Sequence, residues 1–179
     1  VFENVDISCS YDDAGLLKHR GIIDQEQTAM NIGKIRFLNC TIRNSGRSAI
    51  RLRGVAAGQT INLVEFNRCI MYDFAFDSHY GVLNGATTGN FINIKFINST
   101  VFNLRGGIIN YGSGTGCQSV VLDNCTFDRI TMDAASARYF IDFGTTGNLS
   151  EGTITISDCI FGQTSALANG VRNNLMSVS

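Results

Sequence analysis

The feature that most restricts the fold of this chain is a phrase of eight residues written five times. It reads IRFLNCTI at 35–42, VEFNRCIM at 64–71, IKFINSTV at 94–101, VVLDNCTF at 120–127 and ITISDCIF at 154–161. Let position zero be the Cys or Ser: Cys40, Cys69, Ser99, Cys125 and Cys159. Position −5 is then Ile35, Val64, Ile94, Val120 and Ile154, and position −3 is Phe37, Phe66, Phe96, Leu122 and Ile156. Position +2 is Ile42, Met71, Val101, Phe127 and Phe161. The spacing of two within each pair, −5 with −3 and zero with +2, is that of a strand with one buried face. Between −3 and zero the spacing is three, so the facing inverts with no loss of apolar content. A chain does that by turning a corner. Position −1 is Asn39, Asn98, Asn124 and Asp158 in four copies, and Asn and Asp tolerate the left-handed conformation of a tight corner. Arg68 departs from this pattern, and a corner built differently is expected there.

The zero positions are 29, 30, 26 and 34 residues apart, a period that marks a repeat architecture. The repeats carry no i, i+3, i+4 pattern, and Val, Ile, Phe and Thr dominate the phrase. The sequence therefore predicts an all-β chain, a right-handed single-stranded parallel β-helix (β-solenoid) of about five to six coils. Residues 1–179 read as one domain. Its regular coils span 35–161, preceded by an irregular first coil at 1–33. There Val5, Ile7, Cys9 and Tyr11 resemble the phrase with a corner one residue shorter. Residues 162–179 read as a partial last coil with a weak strand signal at 175–178. An uncapped solenoid end exposes strand edges, so further chain or a protein partner is expected beyond Ser179. The chain opens at Val1 without Met, which reads as a processed or partial product.

Net charge is −1, which argues against nucleic acid or an anionic membrane as partner. No apolar run approaches the roughly 20 residues of a membrane span. Charged residues make up 16% of the chain, so the outward faces are expected to be amide and hydroxyl ladders. Of six cysteines, four share one column, the mark of small buried side chains. Cys40 with Cys69, and Cys125 with Cys159, are neighbours that a disulfide could join, although side chains in register point the same way. Ser99 in that column fits a structural ladder better than a ligand set, and no CxxC is present, so no metal is expected. Cys117, in a turn, reads as the accessible thiol.

A second strand follows each phrase: AIRLRG (49–54), YGVLNG (80–85), IINYG (108–112) and YFIDFG (139–144). Each ends in Gly before a glycine-containing turn, where positive φ is expected. These turns lack the Lys of a phosphate-binding loop and precede no helical pattern. Alternation puts Ile50 and Leu52 inside and Arg51 and Arg53 outside. Asn84, Asn110 and Asp142 follow them on later coils, and such a groove could grip an acidic sugar through bidentate Arg–carboxylate contacts. It reads equally as a solvated ladder. The loops between phrase and second strand vary most, and insertions at one corner commonly build a binding face. The second is strongly aromatic: Tyr72, Phe74, Phe76, His79 and Tyr80. Its rings are platforms for sugar C–H faces or, alternatively, Phe74 and Phe76 cap the core while Tyr72 stacks along the outer wall. Arg36, Glu65 and Lys95, at position −4, alternate in sign as cross-strand pairs do. Asp12-Asp13 could bind Ca²⁺ or act in glycoside hydrolysis, but reads more simply as solvated turn residues; no cofactor is expected.

With its NCT and NST corners, the phrase resembles right-handed parallel β-helices of the pectate-lyase-like superfamily. More narrowly, it resembles secreted or surface lipoproteins of Bacteroidota carrying F-x-N-C/S-T-I/F phrases. The resemblance covers roughly residues 35–161, about 70% of the chain. It implies an extracellular or outer-membrane-surface protein and a polysaccharide or oligosaccharide ligand. The proline-containing lyase motif is absent, since the chain has no proline, and of the polygalacturonase blocks only Asp12-Asp13 has a counterpart. His19 and His79 lie in separate loops, so no Ser/His/Asp or Cys/His arrangement can be placed. The expected function is a non-catalytic glycan-binding or assembly and adhesion module. The alternative is a polysaccharide lyase or glycosidase acting on an acidic polysaccharide, with Arg51, Arg53 or Arg105 as the available base.

Overall fold

A computed structural model describes residues 1–8, 21–25, 31–46, 48–52, 59–74, 81–85, 89–111, 117–132, 138–143, 149–163 and 168–172. Its strands come in threes. The first coil holds β1 (Phe2–Glu3), β2 (Asp6–Ser8) and β3 (Gly21–Gln25); the second holds β4 (Asn31–Leu38), β5 (Thr41–Ser45) and β6 (Ser48–Leu52). The third holds β7 (Gln59–Asn67), β8 (Ile70–Phe74) and β9 (Leu83–Gly85); the fourth, β10 (Gly89–Ile97), β11 (Thr100–Leu104) and β12 (Ile109–Tyr111). The fifth holds β13 (Cys117–Asp123), β14 (Thr126–Asp128) and β15 (Arg138–Asp142); the sixth, β16 (Leu149–Ser157), β17 (Ile160–Phe161) and β18 (Ala168–Arg172). Each coil gives one strand to each of three six-stranded sheets, and every strand pair is parallel. This is a parallel β-solenoid, as the phrase predicts. Among the described residues no helix is long and apolar enough to cross a membrane.

The corner at position −1 is left-handed in every coil. Asn39, Asn98, Asn124 and Asp158 have φ of 53°, 50°, 50° and 51°. Arg68 has φ 55°, so its corner is built like the others, contrary to expectation. The reason lies in the stack. The Arg68 amide donates to Ile97 O at 3.0 Å, as Asn39 N does to Asn67 O at 2.9 Å and Asn98 N to Asp123 O at 2.9 Å. Neighbouring coils thus impose one backbone shape on any residue placed there. Where the column is Asn, the side chains also form a ladder. Asn39 Nδ2 donates to Asn4 Oδ1, and Asn124 Nδ2 to Asn98 Oδ1, each at 2.7 Å.

The same corner corrects the reading of the first coil. Phe2 pairs with Phe37 and Ile7 with Ile42, and Asn4 is left-handed with φ 54°. The first phrase therefore has Val5 at position zero and a corner of ordinary length; Cys9 and Tyr11 lie outside the described residues. A second left-handed corner follows at position +4, where Asn44, Asp73, Asn103 and Arg129 have φ of 57°, 59°, 56° and 49°. It inverts the facing again, so that Ser45, Phe74, Leu104 and Ile130 turn inward and are buried. Asn44 Nδ2 donates to Ser8 Oγ at 3.2 Å, and Asn103 Nδ2 to Asp73 Oδ1.

Equivalent side chains stack through the interior. In the −3 column the rings of Phe2, Phe37, Phe66 and Phe96 follow one another at 4.8, 5.1 and 5.0 Å. In the sixth coil Ile156 and Phe161, from the −3 and +2 columns, are 47% and 50% exposed. Where the third sheet begins, backbone approaches backbone. A Cβ on Gly81 would lie 2.2 Å from Gly107 O, and one on Gly107 would lie 2.1 Å from Tyr139 O. These two glycines answer to close approach between coils.

Two outcomes test this account. Arg68→Asn relieves a left-handed arginine and extends the amide ladder, and should raise stability by about 1 kcal/mol in urea unfolding; an unchanged or lowered midpoint would contradict it. Phe66→Ala empties the middle of the ring stack and should cost about 3–5 kcal/mol.

Candidate functional site

The outward face of the third sheet is not the open groove expected of it. Ile50 and Leu52 do face the interior, as alternation requires, and Arg51 faces away from them. Yet Arg51 is only 8% exposed and Asn84 only 4%, so this sheet is covered on both sides at β6 and β9. Asn84 Nδ2 reaches Asn110 O at 3.5 Å along the stack, while Asn110 and Asp142 are half-buried. Arg53, His79 and Tyr80 lie outside the described residues, as do Phe76, Asp12, Asp13 and His19. Sequence alternation gives the facing of a side chain but not what packs over it.

Tyr72 lies on the outer wall of the second sheet, as the structural alternative predicts. Its ring stacks on Phe102 at 4.8 Å and 5°, and Arg43 is its register neighbour on the other side. Arg129 sits over the Phe102 ring at 5.7 Å, and Arg43 pairs with Asp6 at 3.0 Å. One face of the Tyr72 ring is therefore taken by Phe102, and Phe102 carries Arg129, so Tyr72 belongs to a stripe of rings and a cation along the outer wall. Phe74 is buried in the core.

Among the described residues an open concavity lies on the outward face of the first sheet. Here Ile32, Ile61, Phe91 and Cys117 point inward at position −8, and the −5 column points inward again. Two successive residues must therefore face outward, at positions −7 and −6. They are Gly33 and Lys34, Asn62 and Leu63, Ile92 and Asn93, Gln118 and Ser119. Beside this step lies a shallow groove of about 500 Å³, lined by Gly33, Lys34, Asn62, Leu63, Asn93, Lys95, Ser119 and Val121. Its polar floor is held in place: Asn93 Nδ2 donates to Asn62 O at 3.0 Å, and Ser119 Oγ to Asn93 Oδ1 at 2.8 Å.

Around the groove the charges lean positive, while the carboxylates of Glu3 and Asp123 lie further along this face at position −2. Lys34, Arg36 and Lys95 stand against one carboxylate, Glu65, in the described outward positions −7, −6 and −4. That carboxylate is occupied. Arg36 Nε and Nη2 donate to it at 2.9 and 3.0 Å, and Asn67 Nδ2 at 3.4 Å. The Arg36 hydrogen bonds, followed by those of Asn67 and the charges of Arg36 and Lys95, hold Glu65 below the usual carboxylate range despite its burial. The sign alternation at position −4 is thus a cross-strand ion pair, as read from the sequence. Among the described residues no group of three His, Cys, Asp or Glu side chains is gathered.

The position-zero column is interior, and its side chains do more than fill a bend. Cys40, Cys69, Ser99 and Cys125 are buried, and Cys159 is partly buried. Each donates to the carbonyl two residues earlier: Cys40 Sγ to Leu38 O at 3.2 Å, Cys69 to Asn67 O at 3.5 Å and Ser99 Oγ to Ile97 O at 2.8 Å. Cys125 and Cys159 repeat the contact, to Asp123 O and Ser157 O, at 3.2 Å. From the second coil to the sixth the column holds a small inward donor, which Cys and Ser both supply. Burial pushes Cys69 and Cys125 up to about 11. Cys117 is not the accessible thiol expected: it faces inward at the start of β13, and burial pushes it up to about 12.

Comparison with protein-family models, curated proteins and solved structures returned no significant match.

The Glu65–Arg36 pair gives the site a pH signature. A carboxylate held below its unfolded value contributes stability that is present above that value and is lost as pH falls through the folded one. Glu65→Gln should therefore lower the unfolding midpoint at pH 7, and the gap to the parent protein should close below about pH 4. A gap independent of pH would place the effect in packing instead.

Proposed function

We propose that this protein is an extracellular or cell-surface β-helix that binds an acidic polysaccharide, without turnover, along the groove of its first sheet. One observation carries the reading. Lys34 and Lys95 flank a floor of Asn62, Asn93 and Ser119, while the carboxylate beside them is already paired with Arg36. Ammonium groups meet carboxylates or sulfates, amides and a hydroxyl meet sugar hydroxyls, and Leu63 and Val121 offer apolar surface to C–H faces. A parallel sheet suits a polymer, because the coils repeat about every 4.8 Å along the axis. The resemblance to pectate-lyase-like β-helices and to Bacteroidota surface lipoproteins points to the same ligand class and location. Hydrolysis by a carboxylate pair would need a second free acid or base, and Glu65 is not free; the binding reading is preferred for that reason.

Affinity electrophoresis through gels containing polygalacturonate or a neutral dextran tests this. The acidic polymer should retard the protein and dextran should not, and added salt should weaken the effect. Lys34→Ala with Lys95→Ala should lower affinity roughly tenfold or more. Unchanged affinity in that double variant would remove the groove from the proposal, and release of unsaturated or reducing sugar ends would make the protein an enzyme.

A further inference from the structure

The position-zero column contains four thiols arranged as two separate pairs. Cys69 lies one coil from Cys40, and Cys159 one coil from Cys125: Ile70 N donates to Cys40 O at 2.9 Å, and Ile160 N to Cys125 O at 2.8 Å. Ser99 stands between the pairs, with Thr100 N on Cys69 O and Thr126 N on Ser99 O, each at 2.9 Å. Within the column, among the described residues, each cysteine therefore has one cysteine neighbour. One strand spacing, about 4.8 Å, lies inside the range of about 4.4–6.8 Å between Cα atoms that a disulfide spans. Cys40, Cys69, Cys125 and Cys159 are free thiols in this structure, each turned to a carbonyl, so bridging requires that the two Sγ atoms of a pair rotate toward each other and that their Cβ atoms draw in from one strand spacing to about 3.5–4.5 Å.

We propose that Cys125–Cys159 and Cys40–Cys69 are two intrachain oxidation sites, each taking up a disulfide staple between successive coils, with Ser99 as the spacer that keeps the pairs apart. The oxidant is a small disulfide such as oxidised glutathione. Cys159, the partly exposed member, is the entry point. Its thiolate attacks one sulfur of the oxidant and expels one thiol, leaving a mixed disulfide. Cys125 then gives its proton to solvent, attacks the Cys159 sulfur and expels the second thiol. Two protein thiols lose two electrons, and one small disulfide becomes two thiols. Cys40 and Cys69 are both buried, so their staple forms as the chain folds rather than afterwards. Burial raises the pKa of Cys125 and of Cys69, so the step in which each attacks is slow at neutral pH, and an oxidising compartment supplies the time. The inference stands apart from the glycan reading, since neither pair touches the groove.

The experiment is disulfide mapping by mass spectrometry after acid quenching and non-reducing digestion. The reduced protein is treated in two ways with a glutathione redox buffer: folded throughout, or refolded in it. The folded sample should yield the Cys125–Cys159 link first, and the refolded sample both links, with the unfolding midpoint raised. Ser99→Cys supplies a fifth column thiol, and links from that new thiol to Cys69 and to Cys125 should then appear. Links between thiols that are not one coil apart, glutathione adducts without a link, or thiols still reduced in both samples would overturn the proposal. A Ser99→Cys chain keeping only the original two links would remove the role given to Ser99.

Discussion

Apolar side chains can line the inside of every coil only because the chain inverts its facing at a single residue. Asn39, Arg68, Asn98, Asn124 and Asp158 all do so in the left-handed region, within a few degrees of one another. An extended strand cannot turn and keep its inner face inward, since successive side chains alternate. One left-handed residue resolves the conflict: it adds an odd step to the count and bends the path at once. The second corner, at Asn44, Asp73, Asn103 and Arg129, repeats the device. L-residues other than Gly, Asn and Asp enter this region at a cost of about 1–2 kcal/mol. That Arg68 and Arg129 are held there shows how strongly the amide bonds from adjacent coils dictate the shape.

In-register stacking follows from the corner and turns each position into a column with its own chemical demand. The −3 column takes rings that lie face to face, and position zero takes a small donor that adds a second hydrogen bond to a carbonyl already held by the corner amide of the neighbouring coil. A carbonyl oxygen accepts twice, and a thiol or a hydroxyl can fill its second place, which explains why Ser99 stands where the other coils have Cys. Such demands are local and repeated, so stability accumulates coil by coil. The outward columns carry weaker demands. A position facing solvent can hold Arg, Glu, Lys and Val on successive coils, as position −4 does.

This division explains what the sequence revealed and what it concealed. The phrase disclosed the interior because burial imposes the same residue types five times over. The second corner was equally visible in principle, since Asn44, Asp73 and Asn103 recur four residues after position zero, but apolar columns draw the eye before polar ones. In the first coil Cys9 suggested the wrong register, although Phe2, Asn4 and Ile7 reproduce the phrase without adjustment. The faces of the coil were harder. Arg51 and Asn84 alternate as outward residues should, yet both are buried, because alternation fixes the facing of a side chain and not its exposure. Lys34 went unread, and Lys95 was read only as a member of a cross-strand pair, for the opposite reason. They occupy different columns two coils apart, and only the step at positions −7 and −6 brings them to one groove.

That step also bears on why a ligand would be read there and not at the corners. A binding surface built from a strict ladder presents the same group on every coil and suits a lattice or another strand edge. The groove presents a different group on each coil: Lys34, then Asn62 and Leu63, then Asn93 and Lys95, then Ser119 and Val121. Such a row has direction along the axis, so a polymer laid on it meets distinct subsites in a fixed order. The interior cannot supply this variety, since a lysine or asparagine in the −3 or zero column would be buried without a partner. In the proposed function, recognition would be confined to the outward columns by the same parity that builds the core, and would fall where two consecutive residues face out.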